Sequence, residues 1–188
     1  LDILDRYNVK ATFFVTNGKP DYQNLIAQEA QRGHTVAIHS ASHDYAKIYQ
    51  SVDTYFADFD EMNSIITAQT GKAADLVRFP GGSSNTISKK YCYGIMSQLV
   101  CAVEERGFRY CDWNVSSGDA GGTTSTSQVV ANVIEGIKSN NVSVVLQHDI
   151  KNFSVDAVEQ IIQWGLSEGY TFLPMTSTTP MSHHGVNN

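Results

Sequence analysis

The hydrophobic residues of this chain follow two alternating patterns. Short apolar runs rich in β-branched and aromatic residues predict strands, and they read KATFFVT, HTVAIHS, DLVRFP, FRYCDWN, VSVVLQHD and YTFLPM. Between these runs, apolar residues recur every three or four positions, which predicts helices. Strands that alternate with helices predict a parallel sheet of βα units. An open doubly wound sheet and a closed barrel both fit this α/β pattern.

Glycine and serine positions set the expected ends of the helices. Gly71 is expected to end a helix over Val52–Thr70, and Gly107 a longer one that Ser88 caps. Further helices are predicted over residues 21–33, 128–140 and 154–169. The polar C-terminal tail, residues 176–188, is expected to be loose.

Composition narrows the class of protein. A chain of 188 residues that is 41% hydrophobic and 17% charged fits one globular domain, residues 1–188. The net charge is −6 and Lys and Arg do not cluster, so nucleic acid is not an expected partner. No apolar run approaches the length of a transmembrane helix. The three cysteines, Cys92, Cys101 and Cys111, lack the spacing of a zinc site.

Polar side chains follow four of the predicted strands at the point where each strand ends. His39 and His43 follow TVAI, Arg78 follows LV, Asp119 comes in the loop after FRYC, and His148 follows VVLQ. The carboxyl ends of parallel strands lie on one side of an α/β fold, where active sites are built. The convergence of these residues predicts an enzyme. No glycine-rich phosphate loop follows any strand, which weakens nucleotide-binding hypotheses.

Each of these residues also has a structural alternative. The histidine pair could belong to the surface or core, and Arg78 could be an ordinary ion-pair donor. Asp119 could cap a turn in its glycine-rich loop, and His148 could form a buried pair with Asp149. The remaining histidines are expected to be structural or to have no role; they are His34, His183 and His184.

The motifs, taken together, resemble a known family. KATFFV, HSASH, RFPGG, the WNVSSGD loop and LQH occur in the order and spacing of the polysaccharide deacetylases, the NodB-homology enzymes of carbohydrate esterase family 4. HSASH is similar to the family's H-[ST]-x-x-H motif, RFPGG to its R-x-P motif and LQH to its L-x-H motif. The resemblance implies a distorted (β/α) barrel.

The resemblance also implies roles for individual residues. A divalent metal, zinc or alternatively cobalt, nickel or manganese, is expected on His39 and His43. His148 is the expected general acid, tuned by Asp119, and Arg78 is expected to position a general base. The loop of Pro80 and Gly81 offers an oxyanion N–H. Two further residues are expected to contact the substrate: Leu146 in the acetyl pocket and Trp113 on the groove wall.

The chain departs from the family pattern at its first motif. T-F-D-D, which supplies the base and a metal-binding Asp, is not present, and the chain opens with LDILDRYNVK, without Met. The expectation is therefore a truncated domain that lacks its first strand and is impaired in activity. Ala120 also stands where a groove-wall Trp is common, and Gly81 where a Tyr is common.

The expected function is removal of N-acetyl groups from a peptidoglycan-like or chitin-like polysaccharide. Two alternatives remain open: an inactive glycan-binding homologue, and an O-acetyl xylan esterase that uses the same residues. Because such glycans lie outside the cytosol, an extracellular or cell-wall location is expected, with a signal or anchor upstream of Leu1.

Overall fold

The structure, a computed structural model, describes residues 1–188. The helices are α1 (Asp2–Arg6), α2 (Asn24–Gln31), α3 (Tyr45–Ile48), α4 (Val52–Thr70), α5 (Ile95–Glu105), α6 (Thr126–Lys138) and α7 (Asn152–Ser167). The strands are β1 (Thr12–Thr16), β2 (Thr35–Ser40), β3 (Leu76–Val77), β4 (Arg109–Tyr110), β5 (Val115–Ser116) and β6 (Val145–Leu146). Short 3₁₀ helices cover Pro20–Tyr22 and Ser88–Lys90. None of the helices combines the length and the apolar character that crossing a membrane requires.

The chain folds into two compact units, and each consists of two chain segments. The larger unit contains Lys10–Asp112 and Pro174–Asn188, and the smaller unit contains Leu1–Val9 and Trp113–Leu173. The expectation of one domain over residues 1–188 stays a prediction.

The larger unit is built on a parallel sheet in the order β1-β2-β3-β4. The register places Phe13 beside Val36, and Ile38 beside Val77. The register shifts between Val15 and Thr16. Because the strands are parallel, the residues that follow them emerge at the same edge of this sheet, which is where the candidate site residues of this unit are found.

Helix α4 has the bounds expected from its sequence and covers the sheet. The Ser51 side chain and Thr54 form a reciprocal capping box at its start, and Gly71 ends it in the left-handed conformation at φ 76°. Its apolar stripe is buried in the core of the larger unit and consists of Tyr55, Phe59, Met62 and Ile66.

The smaller unit pairs β5 with β6 in parallel and packs α6 against α7. The core between these helices is formed by Val129, Val133, Ile137, Ala157 and Ile161. Helix α1 attaches to α7, where Arg6 Nη1 lies 2.5 Å from Glu159 Oε1 and the Tyr7 hydroxyl donates to the same carboxylate at 2.8 Å.

Two sequence-based element assignments are wrong. Ser88 does not cap the long helix, because α5 begins only at Ile95 after Gly94, which is left-handed at φ 78°. The Ser88 amide donates to Asn85 Oδ1 instead, and its hydroxyl is buried. Residues 170–175 do not form a strand. Leu173 is 75% exposed, and Met175 bonds through its amide and carbonyl to the Thr12 and Thr35 hydroxyls rather than to a strand ladder.

Candidate active site

The two histidines predicted to bind metal lie side by side at the end of β2. Their ring centroids are 5.0 Å apart. His39 is the fifth residue of β2, and its Nδ1 lies 2.7 Å from the Arg78 carbonyl oxygen. His43 follows in the left-handed conformation at φ 52°, which few residues other than glycine adopt. The planes of the two rings are tilted at 52° to each other.

A buried carboxylate holds the loop between these histidines. Asp58, on α4, accepts hydrogen bonds from Ser40 Oγ at 2.5 Å and from the amides of Ala41 and Ser42, each at 2.8 Å. Ser40 Oγ in turn accepts the His43 amide at 2.9 Å. The loop is therefore fixed by side chains before any ligand binds.

Hydrogen bonding decides the ionisation of Asp58. Burial alone would raise the pKa of this carboxyl, but the hydrogen bonds from Ser40, Ser42 and Ala41 lower it below its ordinary value. Sequence reasoning missed Asp58. The available signal was an acid at a helix position next to the apolar stripe, where a charged residue is unusual unless it has partners.

The histidine pair fits part of a metal site. Two imidazoles on one tetrahedral zinc, with Zn–N of about 2.0–2.1 Å, have ring centroids roughly 5 Å apart, as these do. The Arg78 carbonyl at His39 Nδ1 is the kind of outer partner that fixes the tautomer of a metal-binding histidine and leaves Nε2 as the donor atom. No group of three or more His, Cys, Asp or Glu side chains that could hold a metal is present in residues 1–188. The pair could therefore supply two protein ligands.

Arg78 ties the end of β3 to the end of β4. Its side chain is buried, and Nε and Nη2 donate to the carbonyl oxygens of Cys111 and Asp112 at 2.9 and 2.8 Å. The guanidinium lies 4.1 Å from the centre of the Phe14 ring. Burial lowers the pKa of Arg78, and the neighbouring Cys111 and Asp112 act against this shift.

The loop after Arg78 has a fixed backbone at its predicted oxyanion position. The Tyr49 hydroxyl donates to the Pro80 carbonyl oxygen at 2.7 Å. Gly81 is left-handed at φ 78°, and a Cβ there would lie 2.7 Å from the Tyr45 hydroxyl oxygen. The backbone conformation favours glycine at this position, and a Cβ there would also force the Tyr45 side chain to shift.

In the smaller unit, the predicted partners His148 and Asp119 are in contact. Asp119 Oδ1 lies 2.7 Å from His148 Nδ1, and Asp119 Oδ2 accepts the His148 amide at 2.7 Å. Asp119 is 2% exposed, whereas Asp149, the alternative partner, is exposed. The carboxylate fixes the imidazole with its proton on Nδ1, so Nε2 is the nitrogen that can exchange a proton with another molecule.

Two further residues hold Asp119, and sequence reasoning missed both. Ser154 Oγ donates to Asp119 Oδ2 at 2.6 Å from a fully buried position on α7, and the Lys151 ammonium contacts the Asp119 carbonyl oxygen. Burial would raise the pKa of Asp119, but the hydrogen bonds from Ser154 and His148 outweigh it and lower the pKa.

Two of the predicted substrate contacts occupy the smaller unit. Leu146 is the last residue of β6, is half-buried, and accepts the Ser117 amide at 3.1 Å through its carbonyl oxygen. Trp113 is half-buried after β4. Their contacts with substrate stay predictions, as do the catalytic roles of the other residues.

The C-terminal tail packs onto the larger unit through specific contacts, which corrects the expectation of a loose segment. The His183 ring stacks on Tyr110, with centroids 3.9 Å apart and planes at 10°, and its Nε2 lies 2.9 Å from the Tyr110 carbonyl oxygen. His184 donates its amide to Asp112 Oδ2 at 2.8 Å, and its Nδ1 lies 3.0 Å from Ser84 Oγ. The sequence of this polar tail has no hydrophobic pattern that would predict these contacts, because most of them are hydrogen bonds.

Comparison with known proteins agrees with the motifs. A family model described as polysaccharide deacetylase matches residues 1–93. The structure is similar to the crystal structure of the catalytic domain of a peptidoglycan N-acetylglucosamine deacetylase from Eubacterium rectale, at 70% identity and TM-score 0.98 over 100% of this chain and 86% of that one. A Bacillus cereus peptidoglycan-N-acetylglucosamine deacetylase is 30% identical over 178 residues, which are 92% of this chain and 62% of that relative.

These matches confirm the predicted α/β fold of the NodB-homology type. The chain belongs to the polysaccharide deacetylase family, carbohydrate esterase family 4. It spans less than two thirds of the Bacillus cereus relative. A pseudoenzyme of this esterase family from Bacillus anthracis has the same fold at TM-score 0.72 and 20% identity, over 91% of this chain and 56% of that one. The fold by itself therefore does not decide activity.

Proposed function

We propose that this protein is a metal-dependent hydrolase that removes N-acetyl groups from a cell-wall polysaccharide. The observation that carries the proposal is the braced imidazole pair of His39 and His43, with ring centroids 5.0 Å apart at a strand end. The deacetylases of Eubacterium rectale and Bacillus cereus, which this chain resembles, support N-acetylglucosamine in peptidoglycan as the sugar. Since that polymer lies outside the cytoplasm, we further propose that the protein acts at the cell surface.

Metal binding is assigned to the Nε2 atoms of His39 and His43, with zinc as the first candidate. When bound, the metal supplies Lewis-acid activation of a water and of the acetyl carbonyl. The protein's own contribution is the fixed geometry of the pair, which Ser40 and Asp58 maintain by hydrogen bonds. The resemblance assigns the general base and a third ligand to a T-F-D-D motif, which residues 1–188 do not contain.

Two other groups have defined tasks in the proposed reaction. The Gly81 N–H is held by its loop and can donate to the oxygen that gains negative charge as the amide is attacked. His148, oriented by Asp119, can hold a proton on Nε2 and give it to the departing amine. Arg78 is assigned the positioning of the general base, and its bonds to the Cys111 and Asp112 carbonyls hold it between the loop and the neighbouring strand.

The test is acetate release from N-acetylglucosamine oligomers and peptidoglycan. The protein should be assayed together with any residues encoded before Leu1. We expect acetate release to stop with a chelator and to return with zinc, cobalt, nickel or manganese. His148→Ala should lower kcat by about 10²–10⁴-fold. Asp119→Ala should also lower kcat, whereas Asp149→Ala, which alters the exposed neighbouring acid, should not.

The outcomes separate the alternative functions. Glycan binding with no acetate release from any acetylated polymer would indicate an inactive binding module. Release from acetylated xylan in preference to N-acetylated sugars would indicate an O-acetyl esterase. Activity that a chelator leaves unchanged, with His39→Ala fully active, would contradict the metal assignment.

A further inference from the structure

Asp112 connects three parts of the larger unit from a fully buried position. Its Oδ1 accepts the Ser83 amide at 2.8 Å. Its Oδ2 accepts Ser83 Oγ at 2.5 Å and the His184 amide at 2.8 Å. Its backbone amide donates to the Ser182 carbonyl at 2.7 Å, and its carbonyl accepts Arg78 Nη2 at 2.8 Å. One residue therefore joins the loop after Pro80, the C-terminal tail and Arg78.

Residues 182–188, which we call the C-terminal brace, extend this connection along the same loop. His184 Nδ1 and Asn187 Nδ2 bond to Ser84, at its hydroxyl and its carbonyl, at 3.0 and 3.1 Å. His183 anchors the brace by stacking on Tyr110. The brace thus holds the segment that begins two residues after Gly81.

The loop needs such an anchor because of its backbone. Gly81 and Gly82 are both left-handed, each at φ 78°. Two successive glycines leave a chain with many accessible conformations. The Tyr49 hydroxyl holds the Pro80 carbonyl before them, so the chain that follows them needs a second anchor to keep the Gly81 N–H in place. Ser83 is the first residue after the glycines, and Asp112 holds it at both its amide and its hydroxyl.

Burial makes this arrangement specific. A carboxylate without solvent exposure is tolerated only when its oxygens accept hydrogen bonds. Ser83 and His184 supply those donors, so the loop and the brace must keep their places for Asp112 to remain satisfied. The carboxylate therefore favours one conformation of the loop over its alternatives.

We propose that Asp112 and the C-terminal brace are positioning elements that aim the Gly81 N–H at the oxyanion. The proposal rests on the function proposed above. An interaction realised only in the transition state affects kcat more than KM. Loosening the loop should therefore lower kcat with little change in KM, because Asp112 itself need not touch the substrate.

The experiment compares Asp112→Asn and Ser83→Ala with Asp21→Asn, a matched change at an exposed acid. Kinetics on an N-acetylglucosamine oligomer should show kcat lower by on the order of 10-fold or more for Asp112→Asn, since small misplacements cost up to about 10²-fold. KM should change little. Hydrogen exchange at the amides of residues 81–85 should become faster in both loop variants and stay unchanged in Asp21→Asn.

Each result supports or overturns the positioning role. A lower melting temperature with unchanged kcat, KM and loop exchange at a temperature where the variant is folded would show a merely structural role. If Asp112→Asn does not fold, Ser83→Ala and a chain ending at Met181 provide the same two measurements. If the wild-type protein releases no acetate, the proposed function fails, yet loop exchange still decides whether Asp112 and the brace hold the loop.

Discussion

At the residue scale, Asp119 shows how neighbours set the chemistry of one side chain. The carboxylate faces the His148 ring and amide, and Ser154 Oγ completes its hydrogen bonding. These donors, acting against burial, keep its pKa below the ordinary value. The anion that orients His148 is thus maintained by a serine on α7, far away in sequence.

The effect of removing the Ser154 hydroxyl on protein stability can be measured without any substrate. Ser154→Ala takes away one donor to a buried carboxylate, so the pKa of Asp119 should rise toward its ordinary value. We expect a loss of about 1–3 kcal/mol in the free energy of unfolding at neutral pH, because Asp119 Oδ2 loses a partner. The loss should shrink in acid, where Asp119 is protonated. Urea unfolding at neutral and acidic pH measures both.

Ser167→Ala is the matched control, since Ser167 lies on the same helix and its exposed hydroxyl donates only to the Trp164 carbonyl oxygen. At every pH, Ser167→Ala should lower the free energy of unfolding by much less than Ser154→Ala does. Equal costs for the two serines, or a Ser154→Ala cost that does not depend on pH, would contradict the assigned role.

The sequence predicts the candidate catalytic and metal-binding residues better than the residues that hold them. His39, His43 and His148 lie at or just after the ends of apolar runs, and Asp119 lies in the loop after another, so the pattern itself places them on one side of the fold. Asp58, Asp112 and Ser154 are found only through tertiary packing. Each contacts its partner across at least 16 positions of sequence. No local pattern encodes such a contact.

At the element scale, helices are predicted well because their signals are local. Ser51 and Gly71 supply the cap and the stop of α4, and the apolar stripe supplies its period. Strands are less well predicted: β3 and β6 have two residues each, within apolar runs of six or more. Strand length depends on which partner backbone is available, and that information is not in the run itself.

Helix α6 offers a test of packing between elements. Gly136 lies against β5, and a Cβ built there would be 2.4 Å from Val115 Cγ1. Val115 is 1% exposed and has little room to move. Alanine is otherwise favoured over glycine in a helix by about 1 kcal/mol. We expect overpacking, which costs typically about 1–3 kcal/mol, to prevail, so Gly136→Ala should lower the melting temperature.

Gly185→Ala is the control for this change, because nothing lies within 4 Å of a Cβ at that position and no left-handed φ is involved. Its melting temperature should match the wild type. A Gly136→Ala protein that is more stable than the wild type would show that Val115 can yield and that helix propensity prevails.

At the scale of the whole molecule, the C-terminal tail is the clearest difference between expectation and structure. Its composition is polar, and a polar segment without a hydrophobic period normally indicates a loop. The brace is nevertheless ordered by hydrogen bonds to Ser84, Tyr110 and Asp112. Hydrophobic sequence patterns indicate which residues bury apolar surface. They give no signal for a segment that is held mainly by polar contacts.

The same physical effect makes the stability of each unit depend on pH in acid. Asp58 in the larger unit and Asp119 in the smaller unit each have a lowered pKa in the folded protein. A carboxyl whose folded pKa is depressed contributes stability that is present above its unfolded pKa, about 3.9 for Asp, and is lost as the pH falls through the folded value. We therefore expect the free energy of unfolding to fall below about pH 4.

Asp58→Asn should remove much of that pH dependence in the larger unit. The amide keeps one acceptor oxygen, but its NH₂ group faces donors among the Ser40 hydroxyl and the amides of Ala41 and Ser42. We expect a loss of about 1–3 kcal/mol at neutral pH and a smaller loss in acid. Urea unfolding across a pH series measures this, with Glu61→Gln, an exposed acid on the same helix, as the control.

Asp58 also holds the loop of the histidine pair by hydrogen bonds. Zinc affinity measured by calorimetry at neutral pH should therefore fall for Asp58→Asn and not for Glu61→Gln. Unchanged zinc affinity together with a pH-independent loss of stability would mean that Asp58 supports neither the loop nor the pair in the way its hydrogen bonds indicate.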